Sequence, residues 1–228
     1  MEKIKIFVAG SGKLANTILS SGLSFQSCEI LKWDTRYQTL DEKAIVVHAG
    51  SGRQLKECME FCARTKSIFI ELSTGLETET LQSDFPLIIC PNTSILVLKI
   101  LNMLKANGRS FENYSISITE SHQSTKKTEP GTAYSFANSL KFPLDKIISI
   151  RDLGIQQNTI GIPKEYIDKH AYHKIVIKDG SDEVTIETKV LGHDSYANGV
   201  NMIIEAVLKN SLENKRYTIL DLIDNDML

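Results

Sequence analysis

The chain has 228 residues, a length that fits one large domain or two small ones, since domains usually have about 100–200 residues. Hydrophobic residues make up 42%, charged residues 24% and the net charge is −2, which excludes a disordered chain and argues against nucleic acid as a partner. No apolar run reaches the roughly 18–20 residues that cross a bilayer, and the chain starts in a strand pattern without a signal-peptide core. We therefore expect a cytoplasmic protein without membrane association.

The cysteines lie in apolar stretches, and Cys58 and Cys62 are spaced as on one helix face rather than as zinc ligands. We predict reduced core residues with no disulfide and no metal site. These residues are Cys28, Cys58, Cys62 and Cys90.

Short apolar runs alternate with helical patterns over the first ninety residues. This alternation is typical of a parallel sheet with helices on both faces. The predicted strands are Lys5 to Ala9, Cys28 to Trp33, Ala44 to Val47, Ser67 to Leu72 and Leu87 to Cys90, and the predicted helices are Leu14 to Ser20 and one through Leu55, Met59 and Cys62.

The pattern changes at Ser94, where a helix that is apolar nearly all round predicts a buried connection. Strand-like runs with little helix between them then predict an antiparallel or mixed sheet with one wet face. These runs are Tyr114 to Thr119, Ile147 to Ile155, Lys174 to Lys178 and Glu183 to Leu191; Gln156 to Tyr172 reads as a long loop, Tyr196 to Lys209 as a helix, and Tyr217 to Ile223 as a short apolar tail.

A GxGxxA motif stands directly after the first predicted strand. Gly10 permits a tight turn, Gly12 lets a pyrophosphate approach the backbone, and a small Ala15 allows close packing of helix on sheet. An acid, Asp34, follows the second strand at the spacing of a ribose-binding residue. The pattern predicts dinucleotide binding, and the alternative is a glycine turn with a structural role only.

The choice of cofactor stays open. Asp34 favours NAD because a carboxylate repels a 2′-phosphate, whereas Arg36 could pair with that phosphate. Either NADH or NADPH therefore fits the motif.

A second group of polar residues lies between an alternating strand and a helix. Thr132 is predicted to cap that helix, so that Gly131 and Thr132 present amides to an anion. His122 and Lys126 bring a proton donor and a fixed positive charge to the same loop. The alternative interpretation is a solvated polar loop with a helix cap.

With these motifs, the sequence resembles the 4-hydroxy-tetrahydrodipicolinate reductases of diaminopimelate and lysine biosynthesis. Their signature runs E-x-H-H-x-x-K-x-D-x-P-S-G-T-A, and the resemblance extends over nearly the whole chain. The matching residues are Glu120, His122, Lys126, Pro130, Gly131, Thr132 and Ala133, supported by Ser73-Thr74-Gly75, Pro91-Asn92-Thr93-Ser94 and Tyr196-Ala197-Asn198-Gly199.

The resemblance implies an α/β fold with a Rossmann-like dinucleotide-binding domain, residues 1–93 and 197–228, and a central α+β domain with a mixed sheet, residues 94–196. The central domain would bind the substrate and assemble a homotetramer. The reaction would be hydride transfer from NADH or NADPH to C4 of the dihydropyridine formed from 4-hydroxy-tetrahydrodipicolinate, a small dicarboxylate. No metal is implied.

The resemblance also assigns roles to residues. His122 would be the general acid and Lys126 would stabilise developing charge. The substrate would bind at Gln123, Gly131 and Thr132, and the cofactor at Gly10, Ser11, Gly12, Lys13, Leu14, Asp34, Arg36, Ser73, Thr74, Gly75, Pro91 and Asn92.

Some positions depart from the family pattern. Gln123 replaces a second histidine, one residue is missing before Gly131, Thr128 replaces an aspartate, and residues 48–50 read His-Ala-Gly in place of D-F-T. The departures leave open a related reductase of another cyclic imine or amino-acid-derived substrate, and a non-catalytic dinucleotide sensor is a third possibility. The other histidines are weaker candidates. His173 and His193 are interpreted as ordinary polar surface residues, with a position on the substrate side as the alternative, and His170 is assigned to a loop.

Overall fold

A computed structural model describes residues 3–20, 27–126 and 128–228 of the chain. The chain divides into unit 1, Met1–Ile95 with Tyr196–Leu228, and unit 2, Leu96–Ser195. Each unit contains its own sheet, one parallel and one mixed. The predicted α/β fold with two sheets of these types is confirmed.

The described strands and helices are as follows in chain order. The strands are β1 (Ile4–Ala9), β2 (Cys28–Lys32), β3 (Ile45–His48), β4 (Ile68–Glu71), β5 (Leu87–Ile89), β6 (Ser115–His122), β7 (Ile148–Ile150), β8 (His170–Asp179), β9 (Asp182–Leu191) and β10 (Arg216–Thr218). The helices are α1 (Lys13–Ser20), α2 (Leu55–Thr65), α3 (Ile95–Asn107), α4 (Gly131–Ser139), α5 (Leu153–Asn158), α6 (Asp194–Lys209) and α7 (Ile219–Asp224).

Unit 1 is built on a parallel sheet in the order β10-β5-β4-β3-β1-β2. Its central strands are buried along their length because their sequences are continuous apolar runs, such as Phe7-Val8-Ala9 and Val46-Val47. The direction of the strand order reverses at β1, which pairs with β2 on one side and β3 on the other. In sheets of this kind a nucleotide binds at the carboxyl ends of the strands, at this reversal.

Aromatic rings fill the core on one side of this sheet. The ring of Phe7 meets Trp33 edge-on at a centroid distance of 5.5 Å and Phe61 at 5.9 Å. All four cysteines are buried with free thiols, as predicted for core residues. The predicted tail from Tyr217 to Ile223 is structured, because Tyr217 belongs to β10 and the side chain of Thr218 caps α7.

Unit 2 contains a mixed sheet in the order β7-β6-β8-β9. β6 runs antiparallel to β8 and parallel to β7. One face packs on α4, where Phe136 and Ala137 are fully buried. The same face carries Ile118 and Ile175, which lie opposite each other in the register.

Two predictions for unit 2 are wrong. The run from Ile147 to Ile155 is not one strand, because the side chain of Asp152 accepts a hydrogen bond from Ile155 N at 2.8 Å and starts α5. The stretch from Gln156 to Tyr172 is not one long loop, since it includes the end of α5 and the first residues of β8.

The connecting helix α3 is only partly buried, although its sequence is apolar nearly all round. Leu98 and Leu104 are buried, whereas Leu96 is 76% exposed and Met103 48% exposed. The predicted buried connecting helix is thus buried on one side only. No helix among the described residues is long and apolar enough to span a membrane.

Candidate functional site

The glycine motif of unit 1 forms the turn between β1 and α1. Gly10 has a φ of +132°, and a Cβ there would lie 2.4 Å from the carbonyl oxygen of Ala49, so only glycine fits this turn. Ser11, Gly12 and Lys13 are exposed at the start of α1. The first amides of a helix have no partner within the helix, so this turn offers donors to a phosphate.

Asp34 lies one residue beyond Trp33 at the end of β2, and its side chain is half exposed. Its carboxylate accepts a hydrogen bond from Arg36 N at 3.0 Å, which caps a short helical turn. The guanidinium of Arg36 lies near the same carboxylate, with Nε 3.9 Å from Oδ1. Asp34 and Arg36, which are predicted to favour different cofactors, thus lie side by side.

The other predicted cofactor residues follow β4 and β5, at the same edge of the sheet. Ser73 accepts a hydrogen bond from Ser51 N at 3.1 Å, and Gly75 N donates to Glu79 at 2.8 Å. Asn92 Oδ1 accepts from Ser94 N at 2.9 Å. Thr74 and Pro91 are exposed.

In unit 2, His122 and the buried Glu120 form a hydrogen-bonded pair. The two residues are separated by one position on β6 and therefore point to the same face of the sheet. His122 Nδ1 lies 2.6 Å from Glu120 Oε2. The glutamate side chain is fully buried, whereas the histidine side chain is 13% exposed.

Glu120 has two further donors. Arg151 Nη2 donates to Glu120 Oε1 at 2.7 Å, and the hydroxyl of Ser149 also donates to this carboxylate. Burial raises the pKa of Glu120, but the hydrogen bonds from His122, Arg151 and Ser149 outweigh it and lower the pKa to about 2. Glu120 is therefore a carboxylate at neutral pH.

This carboxylate fixes the orientation of the His122 ring. Because Nδ1 faces Glu120, the other ring nitrogen, Nε2, points away from it, and no described residue forms a hydrogen bond with Nε2. Nε2 is thus the ring nitrogen of His122 that an outside partner can reach.

His173 is buried beside His122, so its predicted surface position is wrong. The residue is 2% exposed, and its ring meets that of His122 edge-on at a centroid distance of 5.8 Å. Burial lowers the pKa of His173 to about 4, helped by the charges of His122 and Lys126. The ring is therefore neutral at physiological pH.

One row of polar side chains crosses the whole sheet at this level, and we refer to it as the polar row. In the strand register Glu120 lies opposite Ser149 on one side and His173 on the other, and His173 lies opposite Thr188. His173 Nδ1 is 3.0 Å from the Thr188 hydroxyl. Glu120 and His173, two members of the polar row, contact the His122 ring and hold it in position.

His170 is buried at the start of β8, so its predicted loop position is also wrong. Its Nε2 lies 3.0 Å from the hydroxyl of Ser121, and its Nδ1 donates to the carbonyl of Ile167 at 3.0 Å. Gln156 connects this group to β6, because its amide donates to Ser121 at 3.0 Å and to the His122 carbonyl at 2.7 Å. These bonds hold the end of β6 in place.

The loop after β6 places Lys126 close to the same group. Lys126 N donates to the carbonyl of Gln123 at 3.0 Å, which forms a turn directly after His122. The ammonium charge of Lys126 acts on His173. No carboxylate among the described residues forms an ion pair with Lys126.

The predicted helix cap at Thr132 is wrong. α4 begins at Gly131, and Tyr134 N donates to the carbonyl of Pro130, so Thr132 lies within the first turn. Gly131 N donates to the carbonyl of Glu129 at 3.0 Å, so the prediction of a free amide at Gly131 is wrong. Pro130 occupies the cap position and has no capping side chain, which leaves the start of α4 open to other acceptors.

Two residues that contact Glu120, Arg151 and Ser149, had no predicted role, whereas for His173 a place on the substrate side was the alternative to a surface position. Glu120 was matched to the family signature, and its alternation with His122 was a usable signal for their pairing. Ser149 lies on β7 and Arg151 follows its last residue, and no local pattern indicates the pairing of β7 with β6.

The chain is thus an α/β protein with two units. Unit 1 has a parallel sheet of the doubly wound type that is common in nucleotide-binding proteins, and the mixed sheet of unit 2 carries a carboxylate–histidine site. A family model described as "Dihydrodipicolinate reductase, C-terminus" matches residues 96–223. The chain therefore belongs to the dihydrodipicolinate reductase family.

Relatives and a solved structure carry the same description. The chloroplastic 4-hydroxy-tetrahydrodipicolinate reductase 2 of Arabidopsis thaliana is 28% identical to this chain over 127 residues, which are 50% of this chain and 36% of the plant protein. The match thus spans about a third of that relative's length. The reductase of Rickettsia canadensis is 23% identical over 214 residues, 86% of this chain and 89% of its own. The dipicolinate-bound reductase of Paenisporosarcina has the same fold, with a TM-score of 0.70, 16% identity and 97% and 99% coverage of the two chains.

The buried His173 should make stability depend on pH. The unfolded chain takes up a proton near pH 6.5, but the folded protein does so only near pH 4, so the unfolding free energy should fall as the pH drops through this window. The slope should reach about 1.4 kcal/mol per pH unit for one proton. Denaturant titrations of the wild type and His173→Gln test this, because the variant should lack this part of the slope. Equal slopes for both proteins would contradict a neutral buried ring.

Proposed function

We propose that the protein reduces 4-hydroxy-tetrahydrodipicolinate, through dihydrodipicolinate, to tetrahydrodipicolinate with NADH or NADPH, in diaminopimelate and lysine biosynthesis. The observation that carries the proposal is the Glu120–His122 pair on β6, held by Arg151 and followed by Lys126. Family membership supports it, and so do the names of the plant and bacterial relatives.

Unit 1 would bind the cofactor. The pyrophosphate would lie at the start of α1, against the turn that Gly10 and Gly12 form, and the adenosine ribose at Asp34. The bound cofactor supplies a hydride from its reduced nicotinamide ring. Ser73 to Gly75, Pro91 and Asn92 would border the cofactor at the neighbouring strand ends.

Unit 2 would bind the dicarboxylate substrate. Lys126 carries a positive charge that no described acid neutralises, so it suits a carboxylate. The first turn of α4 after Pro130, in which Thr132 lies, would receive an anion, and the side-chain amide of Gln123 can donate to one. The part of Gly131 would be to let the substrate approach the backbone, since its own amide donates to Glu129.

His122 would provide the proton. Hydride addition at C4 leaves an electron pair on the dihydropyridine ring, and a proton from His122 Nε2 would complete the reduction. Glu120 would act as a positioning residue, because its carboxylate bonds Nδ1 and so directs Nε2 of the His122 ring away from the sheet.

A coupled assay tests the activity. The synthase that condenses pyruvate with aspartate semialdehyde supplies the unstable substrate, and oxidation of NADH or NADPH is followed by absorbance. Turnover that depends on the synthase supports the proposal. Cofactor binding without turnover would favour another cyclic imine substrate or a sensor role, and failure of both cofactors to bind would overturn the enzyme assignment.

Two substitutions separate catalysis from binding. His122→Gln should lower kcat by roughly 10²–10⁴-fold with little change in cofactor affinity, because it removes a general acid. Lys126→Ala should lower kcat and raise the substrate KM, because the ammonium acts on both the bound substrate and the transition state. Lys146→Ala, which removes an exposed lysine of the same unit, is the control and should leave both constants unchanged. Near wild-type turnover by His122→Gln would mean that Lys126 or water supplies the proton.

The cofactor preference depends on the neighbouring side chains of Asp34 and Arg36. Asp34→Ala should weaken NADH binding more than NADPH binding, because the ribose loses an acceptor while a 2′-phosphate loses a repelling charge. Titration of both cofactors by nucleotide fluorescence measures the two dissociation constants. An equal loss for both would mean that Asp34 only caps the turn at Arg36.

We also propose a cytoplasmic homotetramer assembled through unit 2. The single chain exposes apolar side chains around β7, including Ile148 at 56% and Leu153 at 51%. The four unpaired thiols support a reducing compartment. Light scattering at micromolar concentration should give the mass of four chains, and a monomer would contradict this assembly.

A further inference from the structure

A second histidine–glutamate pair lies in unit 1, at the ends of two neighbouring strands. His48 ends β3 and Glu71 ends β4, and the two residues are paired in the strand register. Both side chains are fully buried. His48 Nδ1 lies 2.7 Å from Glu71 Oε1 and 2.9 Å from Oε2.

The other nitrogen of this ring is also engaged. His48 Nε2 lies 3.0 Å from the carbonyl oxygen of Arg53. Since the carbonyl of Arg53 can only accept, Nε2 donates to it, while Nδ1 faces the carboxylate. The polar atoms of the ring are thus all bonded, which permits its complete burial.

The pair ties down the two loops that follow its strands. The ring holds residues 49–54 through Arg53, and Glu71 holds the next loop because it accepts from Ser73 N at 2.8 Å. Ser51 N donates to the Ser73 hydroxyl at 3.1 Å and joins the two loops. A Cβ at Gly50 would lie 2.8 Å from His48 Nε2, so a glycine is needed for the ring to reach Arg53.

These loops lie beside the predicted nucleotide turn, on the side opposite Asp34. Gly10 packs directly against the carbonyl of Ala49, which follows His48. β1 stands between β2, which leads to Asp34, and β3, which ends at His48. A dinucleotide with its pyrophosphate on the Gly10 turn and its adenosine at Asp34 therefore extends its nicotinamide half over the ends of β3 and β4.

We propose that His48 and Glu71 are positioning residues for the nicotinamide half of the cofactor. They fix the backbone of residues 49–54 and of Ser73 in one arrangement, against which the nicotinamide riboside binds. The inference rests on the proposed function, because it assumes that unit 1 binds NADH or NADPH. It assigns a role to a buried pair that the proposed chemistry does not use.

His48→Asn is the most informative variant. The asparagine amide nitrogen takes about the place of Nδ1, so it keeps the hydrogen bond to Glu71 and loses the one to Arg53. His48→Gln has the converse effect, since its amide nitrogen takes about the place of Nε2. Ser67→Ala is the matched control, because Ser67 is also a buried hydrogen-bonding residue, but at the opposite end of β4.

The readout compares two ligands that share the adenosine half. NADH and ADP differ by the nicotinamide riboside, and 2′-phospho-ADP is the corresponding probe for NADPH. For His48→Asn the dissociation constant of NADH should rise about tenfold, the effect of one lost buried hydrogen bond, and that of ADP by less than about twofold. Ser67→Ala should lower the melting temperature and leave the ratio of the two constants unchanged.

The outcomes separate this inference from the proposed function. Equal weakening of both ligands, or no change in either, would overturn the positioning role while the enzyme assignment stands. If His48→Asn proves too unstable to purify, His48→Gln is measured with the same ligands: it loses the bond to Glu71, which holds Ser73, so NADH binding should again weaken more than ADP binding. A wild type that binds neither dinucleotide would overturn the proposed function and this inference with it.

Discussion

The arrangement of unit 2 depends on one buried carboxylate, that of Glu120. Its side chain is fully buried in a sheet interior, where an unpaired charge would be strongly destabilising. Donors from three residues offset this cost: His122 on the same strand, and Ser149 and Arg151 at the end of β7. The carboxylate therefore fixes both the pairing of β6 with β7 and the direction of the His122 ring.

Both units contain a histidine–glutamate pair at strand ends, and burial and hydrogen bonding distinguish their roles. In unit 1, His48 has acceptors at both ring nitrogens and no exposure, so the pair can only hold its surroundings in place. In unit 2, His122 is bonded at Nδ1 alone and its side chain is 13% exposed, so among the described residues Nε2 has no hydrogen-bond partner. In the functions proposed above, the same two residue types would serve positioning in one sheet and chemistry in the other.

The sequence predicts the architecture well where local pattern decides it. Buried parallel strands are continuous apolar runs, so β1, β3 and β4 were predictable to within a residue or two. The prediction of one strand from Ile147 to Ile155 is wrong because the apolar content of this run fits a strand, whereas the Asp152 cap starts a helix within it.

Other features of the site required the three-dimensional structure. Arg151 reaches Glu120 from 31 residues away, across a parallel pairing that no periodicity signals. His170 and His173 read as polar surface or loop residues, yet long-range pairing of β8 with β6 buries both. The helix α4 is capped at Pro130 and not at the predicted Thr132. Gly131 N donates to the Glu129 carbonyl at this point, and the residue types alone do not indicate this backbone hydrogen bond.

The most direct test of this account is the ionisation of Glu120 in the folded protein. Carbon-13 NMR of the carboxyl carbon, assigned by comparison with Glu120→Gln, follows its titration as the pH is lowered. Because its hydrogen bonds lower the pKa to about 2, the signal should keep its carboxylate shift from pH 6 to about pH 3.5. A midpoint near the ordinary glutamate value of 4.5 in the folded protein would contradict the account, since the hydrogen bonds from His122, Arg151 and Ser149 would then not stabilise the buried carboxylate.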